Sequence, residues 1–230
     1  MSDCANCIVR NQAICGALSP DELEILNKAG RKQRLTAGQT LFWEGDDSLL
    51  VANVIEGVLK LSTSMADGRE QIVGVVFPSD FIGRPFGGVS SHSVTALTDA
   101  YLCTFARSDF DRFAAQYPAL ERKLLDRTLT ELDRARKWML LLGRKTATEK
   151  TASFILEMSD RLGRQGCESE GPADSFLLPL GRQQIADILG LTIETVSRQL
   201  TKMKQDGLIE LPDRRAITIR DRDALQMQVA

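Results

Sequence analysis

Histidine is nearly missing: His92 is the only one in 230 residues. It sits among serines in "VSSHSV", where a solvated loop residue is a better reading than an axial haem ligand. Long apolar runs are missing as well. None approaches the roughly 18 residues of a membrane span, and the opening residues are too polar for the core of a secretory signal. A soluble, cytoplasmic protein is expected, without a membrane partner. There is no basic excess either, since the net charge is −2, so any nucleic-acid contact must come from a local patch. Five cysteines, an odd number in a chain without an export signal, suit a reducing compartment, where thiols act as ligands or sensors rather than structural bridges.

What is present begins with length. With 43% hydrophobic residues in 230, the chain can bury a proper core and suits two domains. From Leu35 to Phe105, short β-like runs ("TLFWEGDD", "VANVIEGVLKLSTSMADGREQIVGVVF", "SVTALTDAYLCTF") alternate with turn signals. Gly38, Gly45, Gly57 and the Asp67-Gly68 pair sit where tight turns need them. Short strands at this spacing predict a β-roll over residues 20–106, with a short helix near 20–29. Residues 1–19, which carry Cys4, Cys7 and Cys15, are expected to be a flexible segment.

Around Ser108 the apolar period changes from two to 3.6. Pro118 opens a long helix to about Leu142, within a 107–143 region. Leu125, Thr128, Leu132, Ala135, Met139 and Leu142 follow one another at alternating spacings of three and four, the seam of a helix packed on a partner helix. A helix of about 25 residues is roughly 37 Å long, too long for the core of one small domain, so the seam predicts a homodimer. The alternative is a linker helix lying on its own β-domain. Thr146 and Glu149 form a capping box that starts the next helix, to about Leu162. The "GRQGCESEGPADS" stretch that follows is an exposed loop in which Cys167 has no cysteine or histidine neighbour.

"LGRQQIADILGLTIETVSRQLTKMKQDGLIEL" reads as helix, tight turn, helix. Ile185, Ile188 and Leu189 share one face and Gly190 breaks the first helix. Thr192 caps a second, from Ile193 to about Gln205, closed by Gly207. Glu194, Ser197 and Arg198, at i, i+3 and i+4, project together, while Val196, Leu200 and Met203 turn inward. Arginine can fork onto guanine O6 and N7, and glutamate can accept from the cytosine amino group, so the outward trio suits base edges in a major groove. "LIELPDRRAITI" predicts a wing whose Arg214 and Arg215 can hold phosphates. Residues 181–230 carry eight Lys/Arg against seven Asp/Glu, so binding double-stranded DNA falls to geometry and local charge. The 144–230 region is thus expected to be a winged helix-turn-helix, and the fold class α+β.

The cysteines stay ambiguous on spacing alone. Thiolates hold iron-sulfur clusters, a four-cysteine zinc site uses the same residues, and inert thiols remain a third reading. A thiol-redox enzyme built on Cys4-Ala5-Asn6-Cys7 lacks the strand–helix context such motifs need.

The order β-roll, long helix, winged helix-turn-helix resembles the CRP/FNR superfamily of bacterial transcription regulators over nearly the whole chain. "AGQTLFWEGD", "VIEGVLKL" and "DGREQIVG" are similar to that family's β-roll signatures, and "ETVSR" is similar to the recognition helix of its FNR branch. The resemblance implies an oxygen-responsive regulator, mainly an activator of low-oxygen genes. Its 4Fe-4S cluster would control dimerisation and binding to a palindromic operator with TTGAT-type half-sites read by Glu194, Ser197 and Arg198. It also implies the ligand set. Cys103, ending a strand before the long helix, matches the internal cysteine that joins the N-terminal Cys4, Cys7 and Cys15, whereas Cys167 does not. Cys7 and Cys15 are further apart than in the best-known enteric members and match the spacing of others. Ala135 replaces an acidic residue that some relatives place near this seam position, which implies a smaller barrier to dimerisation without the cluster. Loop residues 80–88 would touch RNA polymerase. Relatives that bind cyclic nucleotides pair a glutamate with an arginine, but "DFIGRPFGGVSSHSVTA" offers Arg84 and serines without the glutamate. Nitric oxide and zinc or thiol redox state are further alternative signals.

Overall fold

A computed structural model describes residue 4 and residues 6–163 and 171–229. The chain divides into two compact units, Met1–Asp133 and Arg134–Ala230, with the division inside the long helix.

In the first unit a single 3-10 turn, Ile14–Ala17, precedes α1 (Pro20–Ala29). Ser19 caps α1 reciprocally with Glu22, and Pro20 supplies a preset φ at the first helical position. Eight strands follow: β1 (Gly30–Leu35), β2 (Thr40–Phe42), β3 (Leu50–Glu56), β4 (Leu59–Ser64), β5 (Glu70–Val76), β6 (Phe81–Ile82), β7 (Ser93–Ala96) and β8 (Ala100–Ala106). They form two antiparallel sheets, ordered β1-β8-β3-β6 and β2-β7-β4-β5. The expected β-roll is there. Between β3 and β4 the chain reverses at Gly57 with φ +85, where a Cβ would come within 2.3 Å of the Asp99 carbonyl oxygen, so no other residue fits.

Strand alternation sorts β3 onto two cores. Ala52 and Val54 pack with Leu59, Val76, Val94 and Leu102 between the sheets. Val51 and Ile55 face the other way, with Cys103 and Phe105 of β8, towards α1 and α2 (Arg107–Gln116), which contribute Leu26, Phe110 and Phe113. The N-terminal segment belongs to this second core, so the expected flexible tail is corrected. Val9, Ala13, Ile14 and Leu18 are buried, because their apolar side chains cover the open side of the cluster around Phe110 and Leu120. α3 (Pro118–Arg144) starts at the predicted proline.

In the second unit α4 (Ala147–Gly163) begins at the predicted capping box, where the Thr146 amide donates to Glu149 Oε2 at 2.7 Å. After β9 (Ser175–Leu177) come α5 (Arg182–Leu189), α6 (Ile193–Gln205), β10 (Ile209–Glu210), β11 (Ala216–Ile219) and α7 (Arg222–Met227). The small sheet is ordered β10-β11-β9. α5 ends at Gly190 in the left-handed region, and α6 has the predicted bounds. Cys167 lies outside the described residues.

Candidate metal centre and nucleic-acid interface

β8 runs between β1 and β3, and its register places Cys103 opposite Lys32 on one side and Asn53 on the other. Directly paired residues point to the same face of a sheet, so a cation, a thiol and a carboxamide stand in one row. The segment carrying the other three cysteines folds over this row. Cys4, Cys7, Cys15 and Cys103 together line a cavity of about 20 Å³, with Arg10, Lys32, Asn53 and the apolar Val9, Ala13, Leu23 and Ile55. Cys4 and Cys103 are buried, and Cys7 and Cys15 are half-buried.

Two asparagines meet the thiols. Cys4 Sγ donates to Asn27 Oδ1 at 2.9 Å, and Asn53 Nδ2 donates to Cys15 Sγ at 3.6 Å. Burial pushes the Cys15 thiol up to about 12, and Cys103, Cys4 and Cys7 push in the same direction. Cys103 is raised to about 11, by burial first, with the Lys32 ammonium opposing and Cys4 and Cys7 adding. Without a cation beside them Cys15 and Cys103 are therefore neutral thiols at pH 7. Among the described residues, no three His, Cys, Asp or Glu side chains stand close enough to hold one metal ion as they are. The thiols converge on one space without closing on a point.

The predicted seam of α3 leaves Leu125, Thr128, Leu132, Ala135 and Met139 exposed, whereas Leu142 is half-buried. Leu129 and Leu140, outside the predicted spacing, are exposed beside them, so the apolar stripe is broader than a two-position seam. Leu120 and Leu124 turn inward to the core that holds Cys4 and Cys103. Arg127, on the same helix, donates to the backbone carbonyl of Gln12 and lies 4.0 Å from Asp80.

At the other site, Thr192 Oγ1 accepts from the Thr195 amide and caps α6. Val196, Leu200 and Met203 are buried against α5, and Glu194, Ser197 and Arg198 are exposed as predicted. Glu194 is held below the usual carboxylate range by its own backbone N–H at the helix start and by Thr192, so it remains an ionised acceptor. β10 and β11 form the wing, pinned by an Arg220–Glu210 ion pair at 2.7 Å. Asp213 accepts from the amides of Arg215 and Ala216, which tightens the tip and leaves the Arg214 and Arg215 side chains exposed.

Lys32, Asn27, Asn53 and Arg127 were not singled out by the sequence reading. For Asn53 a signal existed: it is the lone polar residue within the apolar run "LVANVI". For the others the signal is register and packing, which sequence spacing does not carry.

Comparison with known proteins agrees with this organisation. Residues 32–117 match the cyclic nucleotide-binding domain and residues 149–227 the Crp-like helix-turn-helix domain. A β-roll followed by such a reading head defines a DNA-binding transcription regulator, not an enzyme. The chain is 44% identical to the transcriptional activator protein FnrL of Cereibacter sphaeroides, covering 95% of this chain and 88% of that one. It is 40% identical to the nitrogen fixation regulation protein FixK of Bradyrhizobium diazoefficiens, covering 90% and 86%. The solved structure of FixK2 from Bradyrhizobium japonicum superposes with a TM-score of 0.79 at 31% identity, covering 87% of this chain and 98% of that one. The chain belongs to the CRP/FNR family of transcription regulators and is an activator of the FNR/FixK type. No helix among the described residues is long and apolar enough to cross a membrane.

Proposed function

We propose that this activator responds to oxygen through a 4Fe-4S cluster held by Cys4, Cys7, Cys15 and Cys103, and that the cluster controls dimerisation and binding to palindromic TTGAT-type sites. The observation that carries the reading is the convergence of Cys103 with the three N-terminal cysteines, far from it in sequence, on one cavity. The residues fit the group. Four thiolates are the donor set of a closed 4Fe-4S site, Lys32 and Arg10 offset its negative charge, and a buried amide oxygen, Asn53 Oδ1, stands unpaired beside it. When bound, the cluster supplies an oxygen-labile centre that binds the segment's three cysteines to β8.

The chain's own residues do the rest. The cavity holds about one water, so the loop carrying Cys4 and Cys7 would have to open to admit the group, with Cys15 staying beside Asn53. Gln12 lies between Cys7 and Cys15, and Arg127, which donates to its carbonyl, would pass a displacement of this loop to α3. Leu125, Leu132, Ala135 and Met139, with Leu129 and Leu140, then meet their twofold copies and set two α6 helices one helical turn apart. Glu194, Ser197 and Arg198 read the half-sites, Arg214 and Arg215 contact phosphates, and loop residues such as the exposed Phe86 meet RNA polymerase. The work is done in the cytoplasm, where the operators are.

The test is anaerobic purification with iron and acid-labile sulfide measured, followed by air exposure and operator titration. Near-equal iron and sulfide, with operator binding lost in air, is expected. Zinc in place of iron, or binding indifferent to air, overturns the reading.

A further inference from the structure

Asn53 is the polar exception in β3. Val51, Ala52 and Val54 around it are fully buried, and Asn53 itself is only 2% exposed. Alternation turns it, with Val51 and Ile55, onto the face that carries Cys103, its register partner. A buried carboxamide has two N–H donors and an acceptor to satisfy. Here Nδ2 donates to Cys15 Sγ at 3.6 Å and Oδ1 has no partner. A valine or leucine would suit this strand without leaving a polar atom unpaired. The amide therefore works against the stability of the sheet, and its one directed bond is to a sulfur.

We propose that Asn53 is a positioning residue for the cluster, donating from Nδ2 to the Cys15 sulfur and stabilising that ligand as a thiolate; this rests on the cluster reading above. Rotation about χ2 exchanges Oδ1 and Nδ2, and a protonated thiol, which both donates and accepts, suits either orientation. A thiolate only accepts. Ligation of Cys15 thus fixes the amide with its N–H groups towards sulfur. The bond from Cys4 to Asn27 behaves oppositely, because it uses the thiol proton and ends when that proton leaves. An N–H on a ligating sulfur withdraws charge from it, raising the reduction potential of the cluster and slowing its oxidative loss.

The test compares the parent with Asn53→Leu and with the pair Asn53→Thr and Asn53→Val, all loaded anaerobically. Iron and sulfide content, circular dichroism, midpoint potential and the decay of the visible absorption in air are measured. Asn53→Leu is expected to fold and load like the parent, with a more negative potential and a decay about tenfold faster. Asn53→Thr, which keeps a hydroxyl donor, should fall between. Unchanged potential and decay in a folded Asn53→Leu overturn the proposal. If that variant does not fold, the Thr/Val pair decides, since the two are alike in shape and equal behaviour overturns it. A parent that holds no iron overturns the cluster reading and this one together, whereas normal loading with unchanged decay overturns this one alone.

Discussion

Arg127, on the long helix, donates a hydrogen bond to the carbonyl of Gln12, three residues before Cys15. This charge-assisted bond joins the cysteine segment to α3. It is one link between the thiols and the exposed apolar stripe, beside the packing of Leu120 and Leu124 in the core that holds Cys4 and Cys103.

Removing that link should separate loading from response. Arg127→Met keeps the aliphatic length and loses the fork. Iron and sulfide should remain at the parent level, while the ratio of operator affinity with and without cluster falls about fivefold or more, the scale of a typical coupling free energy. Fluorescence anisotropy titration with operator DNA measures the ratio, and an unchanged ratio at normal loading would rule out Arg127 as the link.

The ligand assignment makes a sharper pair of predictions. Cys103 is buried beside Lys32 and Asn53 and lines the shared cavity, so Cys103→Ser should bring iron and sulfide close to zero. Cys167→Ser should leave both at the parent level. The reverse outcome in the iron assay would transfer the fourth ligand to Cys167.

A pH dependence follows for the reduced, metal-free protein. Cys15 and Cys103 are raised from 9.0 to about 12 and about 11. The unfolded chain ionises these thiols first, so the stability given by their neutral burial is complete below pH 9 and is lost as pH rises towards 11–12. Lys32, the cation facing them, opposes only the Cys103 shift. Between pH 8 and pH 10 the loss should be about 1–3 kcal/mol. Urea denaturation of the parent against the Cys15→Ala/Cys103→Ala double variant isolates it, because other groups titrate equally in both. A loss of the same size in the double variant would remove the thiols from the account.

Much of this architecture was legible in residue order, for reasons that can be named. Pro118, the Thr146/Glu149 box and Gly190 are local signals with local causes, and each stands at the element boundary it predicted. The outward trio on α6 followed from 3.6-residue periodicity. The N-terminal segment was misread as flexible, because the partners of Ile14 lie about a hundred residues away in α2 and α3 and spacing within the segment cannot show them. β9 was missed since three residues carry no period. The meeting of Cys103 with three N-terminal thiols came from family resemblance, and the row Lys32–Cys103–Asn53 required strand register, which sequence pattern leaves free.

The recognition face predicts two kinds of loss. Arg198→Ala and Glu194→Ala should each cost about 1–3 kcal/mol of discrimination at one base pair of the half-site. Arg214→Ala and Arg215→Ala should weaken all sequences alike and flatten the dependence of log affinity on log salt by about one unit for each phosphate left without its arginine. Titration of parent and variants against matched and mismatched operators over a salt series separates the two. A sequence-selective effect at Arg214 would assign the wing to base reading instead.

The apolar stripe on α3 tests whether the proposed cluster acts through assembly. Leu132 is 43% exposed and Met139 73% in the single chain, and burying an exposed leucine gains about 1.5–3 kcal/mol. In a twofold interface the same residue contributes from both copies, so Leu132→Glu should raise the dimer dissociation constant by about 100-fold or more. Ala135→Asp acts on the same stripe by placing two carboxylates near the axis. Their repulsion should be tolerated by the cluster-loaded protein and turn the cluster-free form fully monomeric. Analytical ultracentrifugation at micromolar concentration, with and without cluster, tests both. A parent already strictly monomeric without its cluster would show that Ala135 has not lowered the barrier to dimerisation, and a dimer unaffected by Leu132→Glu would place the interface elsewhere.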